Sequence, residues 1–130
     1  MKIASIDIGL KRIGIAFSDG NIITPQPPII RKNRNQASND LKKFLIDWEI
    51  EKLIVGVPMD GNSTEEMKRR ITHFVSLLEL SIPTIYQDEQ NSSQEAKERS
   101  IGVFKHSKDG KIDSLAAVII LERYLDSKKV

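Results

Sequence analysis

The first thirty residues, MKIASIDIGLKRIGIAFSDGNIITPQPPII (1–30), predict three consecutive β-strands. The side chains of residues 1–8 alternate between two faces, with the odd-numbered residues on one and the even-numbered residues on the other. A second β-rich run at 13–18 is followed by Asp19-Gly20, a pair that favours a hairpin turn. The third run, 22–30, contains three prolines, which favour the edge of a sheet because proline donates no ladder hydrogen bond. The chain therefore opens with an antiparallel meander.

Beyond residue 30 the apolar residues follow a helical period in some segments and form short strand-like runs in others. Four helices are predicted. The first has a core stripe of Leu41, Phe44, Leu45 and Trp48, and the second is capped by Ser63 and Glu66 and has a stripe of Met67, Ile71, Phe74, Val75 and Leu78. The third is short and capped by Ser92 and Glu95, and the last spans 112–125. The predicted strands are 52–57, whose end Gly56 and Pro58 are expected to shape, and 82–86. This order predicts an α/β fold: a mixed sheet, antiparallel and then parallel, with helices on its faces.

The composition fits one globular domain that spans residues 1–130. The chain is 39% hydrophobic and 29% charged, and its lack of cysteine excludes disulfide scaffolds, thiolate zinc sites and cysteine nucleophiles. No apolar run reaches the ~18 residues of a membrane span, and Asp7 stands where a signal peptide needs an apolar stretch. We therefore expect a cytoplasmic protein without a membrane partner. The net charge of +2 is compatible with an anionic partner but does not require one.

Four carboxylates fall at the ends of predicted elements or on a buried face. Asp7 ends the first strand, and Asp88 and Glu89 follow the last one. Alone, each has an ordinary interpretation, as a turn residue or as a solvated acid before a helix. Asp113 lies on the stripe of the last helix that faces the sheet, where an unpaired carboxylate is costly to bury. It could instead lie half exposed at the helix start, where the helix dipole favours an acid.

These acids are expected to converge, because the carboxyl ends of parallel strands lie side by side at one edge of a sheet. If the first and last strands flank the middle one, Asp7 meets Asp88 and Glu89. The last helix then brings Asp113 to them. Carboxylates at such close range repel one another unless a proton or a cation intervenes. Oxygen ligands without a nearby histidine favour Mg²⁺ or Mn²⁺, and two such ions could clamp both reacting oxygens of a phosphodiester.

Basic residues surround the acidic group in the sequence. Setting three site acids aside leaves 20 basic and 15 acidic residues, which is a basic body around an acidic site. Taken singly, each basic residue has an ordinary interpretation as a solvated surface charge, but together they offer sequence-independent affinity for a polyanion. The candidate phosphate contacts are Lys11 and Arg12 beside Asp7, then Arg31, Lys32 and Arg34 before the first helix, and Arg69 and Arg70 in the second helix.

Four blocks of sequence carry a distinctive pattern across nearly the whole chain. The blocks are DIGLKRIGIAFSD (7–19), VGVPMDG (55–61) with the helix after it, Asp88-Glu89 with Ser92, Ser93 and Ala96, and KIDSLAA (111–117). This pattern resembles the YqgF/RuvX family, whose members are described as Holliday junction resolvases and as pre-16S rRNA nucleases. The chain departs from the family pattern at Gln90, Asn91 and Ser93, where the family usually has Arg, Leu and Thr.

The resemblance implies an RNase H-like fold with a five-stranded mixed sheet and metal-dependent cleavage of phosphodiesters. It assigns the catalytic and metal-binding acids to Asp7, Glu89 and Asp113. In the resulting hypothesis Asp7 bridges two Mg²⁺ or Mn²⁺ ions, and Glu89 and Asp113 each bind one of them. Asp88 does not bind the ions directly. Processing of pre-16S rRNA ends is the predicted function.

Pre-rRNA processing has three alternatives, and the sequence does not distinguish RNA from DNA as substrate. Resolution of a Holliday junction needs two coordinated cuts and hence a homodimer. Nucleic-acid binding without catalysis would keep the fold but not need the acids. ATP binding of the actin and sugar-kinase type is disfavoured because those proteins duplicate this fold, and 130 residues cannot hold two copies.

Overall fold

The computed structural model describes residues 1–20, 22–58, 64–89 and 111–128, except for the side chains of 111–113. The strands in this part are β1 (Ile3–Ile8), β2 (Arg12–Ser18), β3 (Ile23–Ile30), β4 (Lys52–Val57) and β5 (Thr84–Asp88), and the helices are α1 (Arg34–Asp47), α2 (Thr64–Ser76) and α3 (Lys111–Ser127). The predicted helix caps at Ser63 and Ser92 lie outside the described residues. Among the described helices, none combines the length and the apolar character needed to cross a bilayer.

The strands form a mixed sheet in the order β3-β2-β1-β4-β5. β2 pairs antiparallel with both β1 and β3, so the predicted meander is confirmed. β4 pairs parallel with both β1 and β5. β3 lies at one edge, as its prolines indicate. Because β1 and β5 flank β4, the carboxyl ends of these three strands share one edge of the sheet, which is the arrangement that the convergence of the acids requires.

Each face of the sheet has its own apolar core. On the face covered by α1 and α2, the buried residues include Ala4 and Ile6 of β1. On the face covered by α3, they include Ile3 of β1 and Ile54 of β4. We name these the α1/α2 face and the α3 face. Since successive side chains of a strand point to opposite faces, the position of each residue in its strand fixes the face on which it lies.

Two residues of the predicted helix stripes are more exposed than the pattern indicates. Trp48, predicted to lie in the core, is the C-cap of α1 and is 40% exposed. Its ring contacts Phe17 and Phe44 at centroid distances of 5.1 Å. Met67, in the first turns of α2, is 42% exposed. Both lie near a helix end, where the helical period continues but the neighbouring elements no longer cover the stripe.

Candidate active site at the carboxyl ends of the central strands

Asp7 occupies the penultimate position of β1 and lies half-buried on the α3 face. The hydroxyl of Ser5, two residues earlier, donates to the carbonyl oxygen of Ala117 in α3 at 2.6 Å, which fixes the face of the odd-numbered residues. After Asp7 the chain leaves the sheet through a tight turn in which the amide of Gly9 donates to the carbonyl of Arg12 at 2.9 Å. A Cβ on Gly9 would lie 2.8 Å from that oxygen, so the turn requires glycine.

Glu89 directly follows β5 and reaches back across β4. Its amide donates to the carbonyl of Val57 at 3.0 Å, which extends the parallel ladder one step beyond β5. Asp7 and Glu89 belong to strands two spacings apart, about 10 Å. The side chain of Glu89 covers Gly56, where a Cβ would lie 2.9 Å from Glu89 Oε2 and 3.2 Å from Glu89 Cβ. The glycine in the middle strand therefore leaves the space through which Glu89 approaches Asp7.

The carboxyl groups of Asp7 and Glu89 are joined by a hydrogen bond across β4. Burial, followed by this hydrogen bond and by the negative charges of Asp7 and Asp88, raises the pKa of Glu89 from 4.5 to about 8. Without a bound cation, Glu89 is therefore largely protonated near neutral pH, and its O–H donates to the Asp7 carboxylate. Two carboxyl groups that share one proton mark a place where added positive charge is favourable.

Asp88 ends β5, and its position in the strand directs its side chain away from the pair. β5 begins at Thr84 and ends two residues later than the predicted strand. Ile85 packs into the core on the α3 face, so alternation puts Glu89 on that face and Asp88 on the other. The carbonyl of Asp88 accepts a hydrogen bond from Arg123 Nη1 at 3.2 Å. Asp88 thus affects Glu89 through its charge, from the opposite face of the sheet.

Asp113 lies in the first turn of α3, and its side chain is outside the described residues. The next residue, Ser114, is buried and fixes the start of α3 to the sheet. Its hydroxyl accepts from the amide of Ile15 at 3.3 Å and donates to a backbone carbonyl of β3. Ile15 is paired with Ile6, the neighbour of Asp7. These contacts bring the backbone at the start of α3 to the part of the sheet that carries Asp7, and the role of Asp113 as a ligand stays a prediction.

The described donor set fits a hard divalent cation in its chemistry. Asp7 and Glu89 supply carboxylate oxygens, the ligands that Mg²⁺ and Mn²⁺ prefer, and a cation would replace the proton they share. Within residues 1–20, 22–58, 64–89 and 111–128, no group of three His, Asp or Glu side chains is placed to hold a metal ion. A third protein ligand would come from a side chain that the structure does not describe, such as that of Asp113.

Apart from Lys32, which is exposed and does not line the groove described below, the predicted phosphate contacts separate into two groups in the fold. Lys11 and Arg12 lie exposed at the turn between β1 and β2. On the α1/α2 face, four other arginines line one groove, which we name the arginine groove: Arg31, Arg34, Arg69 and Arg70. Two basic clusters that are distant in sequence, one at the start of α1 and one in α2, therefore meet in space. The groove also includes Ile8 and Gly9, which directly follow Asp7.

Gly56 and Phe74 contribute in ways that the sequence analysis missed. The sequence predicts that Gly56 shapes the strand end, and in the fold it also makes room for Glu89. A glycine inside a strand is itself a signal of close approach, although it does not say which side chain approaches. Phe74, predicted only as core, lies 5.2 Å from the guanidinium of Arg31 and helps to hold it in the groove. No local sequence pattern could have predicted that Phe74 contacts Arg31.

The whole-chain comparison decides the family. Residues 1–127 match the model of the RuvX family, described as Holliday junction resolvase. The chain belongs to the RuvX family. A relative from Sulfurovum sp. (strain NBC37-1), named "Putative pre-16S rRNA nuclease", is 67% identical over 126 residues, which cover 96% of this chain and 98% of the relative. A relative of the same name from Sulfurimonas denitrificans is 49% identical over 129 residues, covering 98% and 99%. The resemblance is thus confirmed, and a nuclease function for this RuvX chain is supported.

Solved structures similar to this RuvX chain include two resolvases bound to DNA. The fowlpox virus resolvase in complex with Holliday junction DNA superposes with a TM-score of 0.65 at 16% identity, covering 100% of both chains. Thermus thermophilus RuvC in complex with a Holliday junction substrate has a TM-score of 0.65 at 13% identity, covering 100% of this chain and 98% of RuvC. At such identities the similarity concerns the fold alone, and it confirms the expected RNase H-like architecture.

Proposed function

We propose that this RuvX-family protein is a metal-dependent nuclease that cleaves phosphodiester bonds at the ends of precursor 16S rRNA. The observation that carries the proposal is the Asp7–Glu89 pair, joined across Gly56 at the carboxyl edge of the sheet. At neutral pH, Glu89 must keep a proton in the folded chain that it would lose in the unfolded chain, so the pairing costs stability, and a ligand explains its presence better than stability does. The name that the relatives carry supplies the substrate in this proposal.

Asp7 and Glu89, with Asp113 as a third ligand, would hold Mg²⁺ or Mn²⁺. When bound, such ions polarise the phosphodiester and lower the pKa of a water molecule. The protein's own contribution is orientation. The bond of Ser5 to α3 and the β1 ladder fix the direction of Asp7. The amide of Glu89 is bonded to β4, so both carboxylates are positioned before a substrate arrives.

Because Glu89 keeps its proton up to about pH 8, metal binding is expected to depend on pH. A cation that binds both carboxylates must displace this proton, so the apparent affinity for Mn²⁺ should rise by up to about tenfold per pH unit below pH 8.

Without metal, the unfolded chain loses this proton near pH 4.5, whereas the folded chain keeps it to about pH 8. The free energy of unfolding should therefore fall as pH rises through that window. Mn²⁺ titration calorimetry and thermal melts at pH 6 and pH 8 measure both effects.

Glu89→Gln should weaken Mn²⁺ binding at pH 8 and remove most of the pH dependence of both measurements. Glu65→Gln is the matched control, because it removes the same charge from an exposed position in the first turn of α2. The control should keep the wild-type pH dependence. Equal Mn²⁺ affinity at pH 6 and pH 8 in the wild-type protein would contradict the shared-proton arrangement as the metal site.

The substrate is tested with purified protein and Mg²⁺ against two labelled substrates, a precursor 16S rRNA end and a four-way DNA junction. We expect cleavage of the precursor end and little or no cutting of the junction. The result that contradicts the rRNA assignment is preferential, paired cutting of the junction. The description of the family model favours this second function, Holliday junction resolution. Cleavage of neither substrate in Mg²⁺ or Mn²⁺ would contradict the nuclease proposal itself.

A further inference from the structure

The arginine groove lies beside the turn that follows Asp7 and is large enough for a nucleotide-sized ligand. Its volume is about 690 Å³, within the range of roughly 300–1,000 Å³ that is typical of ligand sites. Its walls come from the end of β1 and the β1–β2 turn, from Arg31 directly after β3, from the first residue of α1, and from one side of α2. Among the described residues that line it, four are arginines and none is Asp or Glu. The groove therefore favours an anionic ligand.

Arg31 is fixed in the groove before any ligand binds. Its Nη1 donates to the carbonyl oxygen of Gly9 at 2.6 Å, and its guanidinium carbon lies 5.2 Å from the ring centroid of Phe74. That distance is typical of a cation–π contact. The backbone amide of Arg31 is also bonded, to the carbonyl of Lys11 at 2.8 Å. The bond to Gly9 uses one of five guanidinium N–H groups, which leaves donors that are already oriented for a ligand.

Arg34 occupies a position that helix stability alone does not favour. It is the first residue of α1, whose first turn contains no acid, so its charge lies at the positive end of the helix dipole. Among the described residues, neither Arg34 nor Arg69 makes an ion pair, whereas Arg70 is paired with Glu66 at 2.6 Å. Two exposed guanidinium groups that have no acidic partner in the described part of the chain suit the binding of phosphate oxygens.

Apolar side chains lie between these arginines. Leu10 is 82% exposed and Met67 is 42% exposed, although both are large and apolar. Ile8 and Phe74 also contribute to the lining. An inorganic anion would leave these surfaces in water, whereas a ligand with a flat apolar part would cover them. The lining thus matches a ligand that carries both a phosphate and a flat ring, as a nucleotide does.

The arginine groove and the Asp7–Glu89 pair lie on opposite faces of the same edge of the sheet. Asp7 points to the α3 face, and Ile8, the next residue, lines the groove. The Cα atoms of these two residues are about 3.8 Å apart. A nucleic-acid strand with one phosphate beside Asp7 can therefore pass over the end of β1 and enter the groove within a short stretch.

We propose that the arginine groove holds an unpaired nucleotide of the substrate strand next to the phosphate that is cleaved. The base covers Leu10 and Met67 and stacks on an arginine, while Arg34 and Arg69 bind the adjacent phosphates. A base inside a duplex is stacked and paired and cannot enter, so the substrate class is an unpaired strand or end rather than a continuous duplex. This inference rests on the proposed nuclease function for its reaction, but the binding is measured without cleavage.

The test measures binding in EDTA, so that no strand is cut. Fluorescence anisotropy gives the Kd for three probes: a short single-stranded RNA, the same strand with abasic positions, and the same strand paired with its complement. The wild-type protein is expected to bind the intact single strand about tenfold more tightly than the other two. Leu10→Ser should remove the preference for intact over abasic strand. Leu10 is exposed, so this variant should fold normally.

The charge contacts are tested with Arg34→Gln/Arg69→Gln. This double variant should weaken binding of the intact single strand at least tenfold, and it should lower the slope of log Kd against log salt by about 1.4. Lys42→Gln/Lys43→Gln removes the same charge from α1 outside the groove and should change the Kd less than threefold. Neutralising Arg34 removes a cation from a helix N-terminus, so loss of binding through misfolding is not expected.

Equal affinity for the three probes, or equal effects of the two double variants, overturns the proposal. So does a dimer in sedimentation velocity that Leu10→Ser abolishes, because the groove would then be an interface between two copies of the chain. The cleavage assay separates the two hypotheses. If the protein cuts RNA but shows no groove preference, the groove proposal alone fails. A groove preference without cleavage in Mg²⁺ or Mn²⁺ leaves the groove as a binding site and removes the nuclease proposal.

Discussion

Replacing Asp7 by Asn is expected to lower the rate of RNA cleavage in Mg²⁺ by about 10³-fold or more. The substitution keeps the size of the side chain and its place in β1, but it removes the anionic oxygen of a proposed metal ligand. Losing about 4 kcal/mol of transition-state stabilisation corresponds to this reduction. Initial rates on a labelled precursor end, at saturating Mg²⁺, measure it. The melting temperature at pH 8 should stay equal or rise, because one charge of the Asp7–Glu89 pair is gone.

Asp47→Asn is the matched control for this change. Asp47 is exposed on α1 and paired with Lys43 at 2.7 Å, and a solvated pair of this kind contributes little to stability. We expect its cleavage rate to stay within twofold of wild type. Wild-type cleavage by Asp7→Asn would show that the assigned acids are not the active site. Full function of Asp7→Asn in cells, together with normal RNA binding, would favour a binding factor without catalysis.

Much of the fold follows from local periodicity. Alternation in residues 1–8 predicts both the strand and its two faces, and the three prolines after residue 22 predict an edge strand, because each signal acts through the backbone of its own segment. The exposure of Trp48 and Met67 could not be predicted in this way. A helical stripe indicates which side of a helix is apolar, but not how far along that side the neighbouring elements reach.

The candidate site was predictable to the extent that topology decides it. Asp7 and Glu89 meet because the carboxyl ends of parallel strands share an edge, and the order of strands and helices predicts that edge. Topology alone does not distinguish Asp88 from Glu89, since the predicted strand ends at residue 86 and the face of each acid depends on where pairing stops. The choice of Glu89 comes from the family resemblance. The arginine groove was not predictable as a unit, because it exists only when α2 packs beside the start of α1.

Replacing Gly56 by Ala is expected to reduce cleavage by about 10²-fold, although residue 56 would have no chemical role. The added Cβ would lie 2.9 Å from Glu89 Oε2 and 3.2 Å from Glu89 Cβ, and it would also clash with Ile120 Cδ1. The end of the Ile120 side chain can rotate away, but Glu89 Cβ is held by the bond of the Glu89 amide to β4. The carboxyl group of Glu89 must therefore move away from Asp7, and a displacement of about 1 Å in a catalytic group is enough for such a loss.

Three measurements separate this displacement from simple loss of stability. Overpacking a core by one methyl group costs about 1–3 kcal/mol, so Gly56→Ala should also lower the melting temperature. Adding Ile120→Val makes room on the side of α3 and should restore much of that stability without restoring cleavage, since Glu89 remains displaced. The pKa of Glu89, followed by NMR titration, should fall below about 8, because the displaced carboxyl group is less buried and loses its hydrogen bond to Asp7. If the double variant regains both stability and wild-type cleavage, Glu89 does not need to cross β4 in the active protein, and a different acid must partner Asp7.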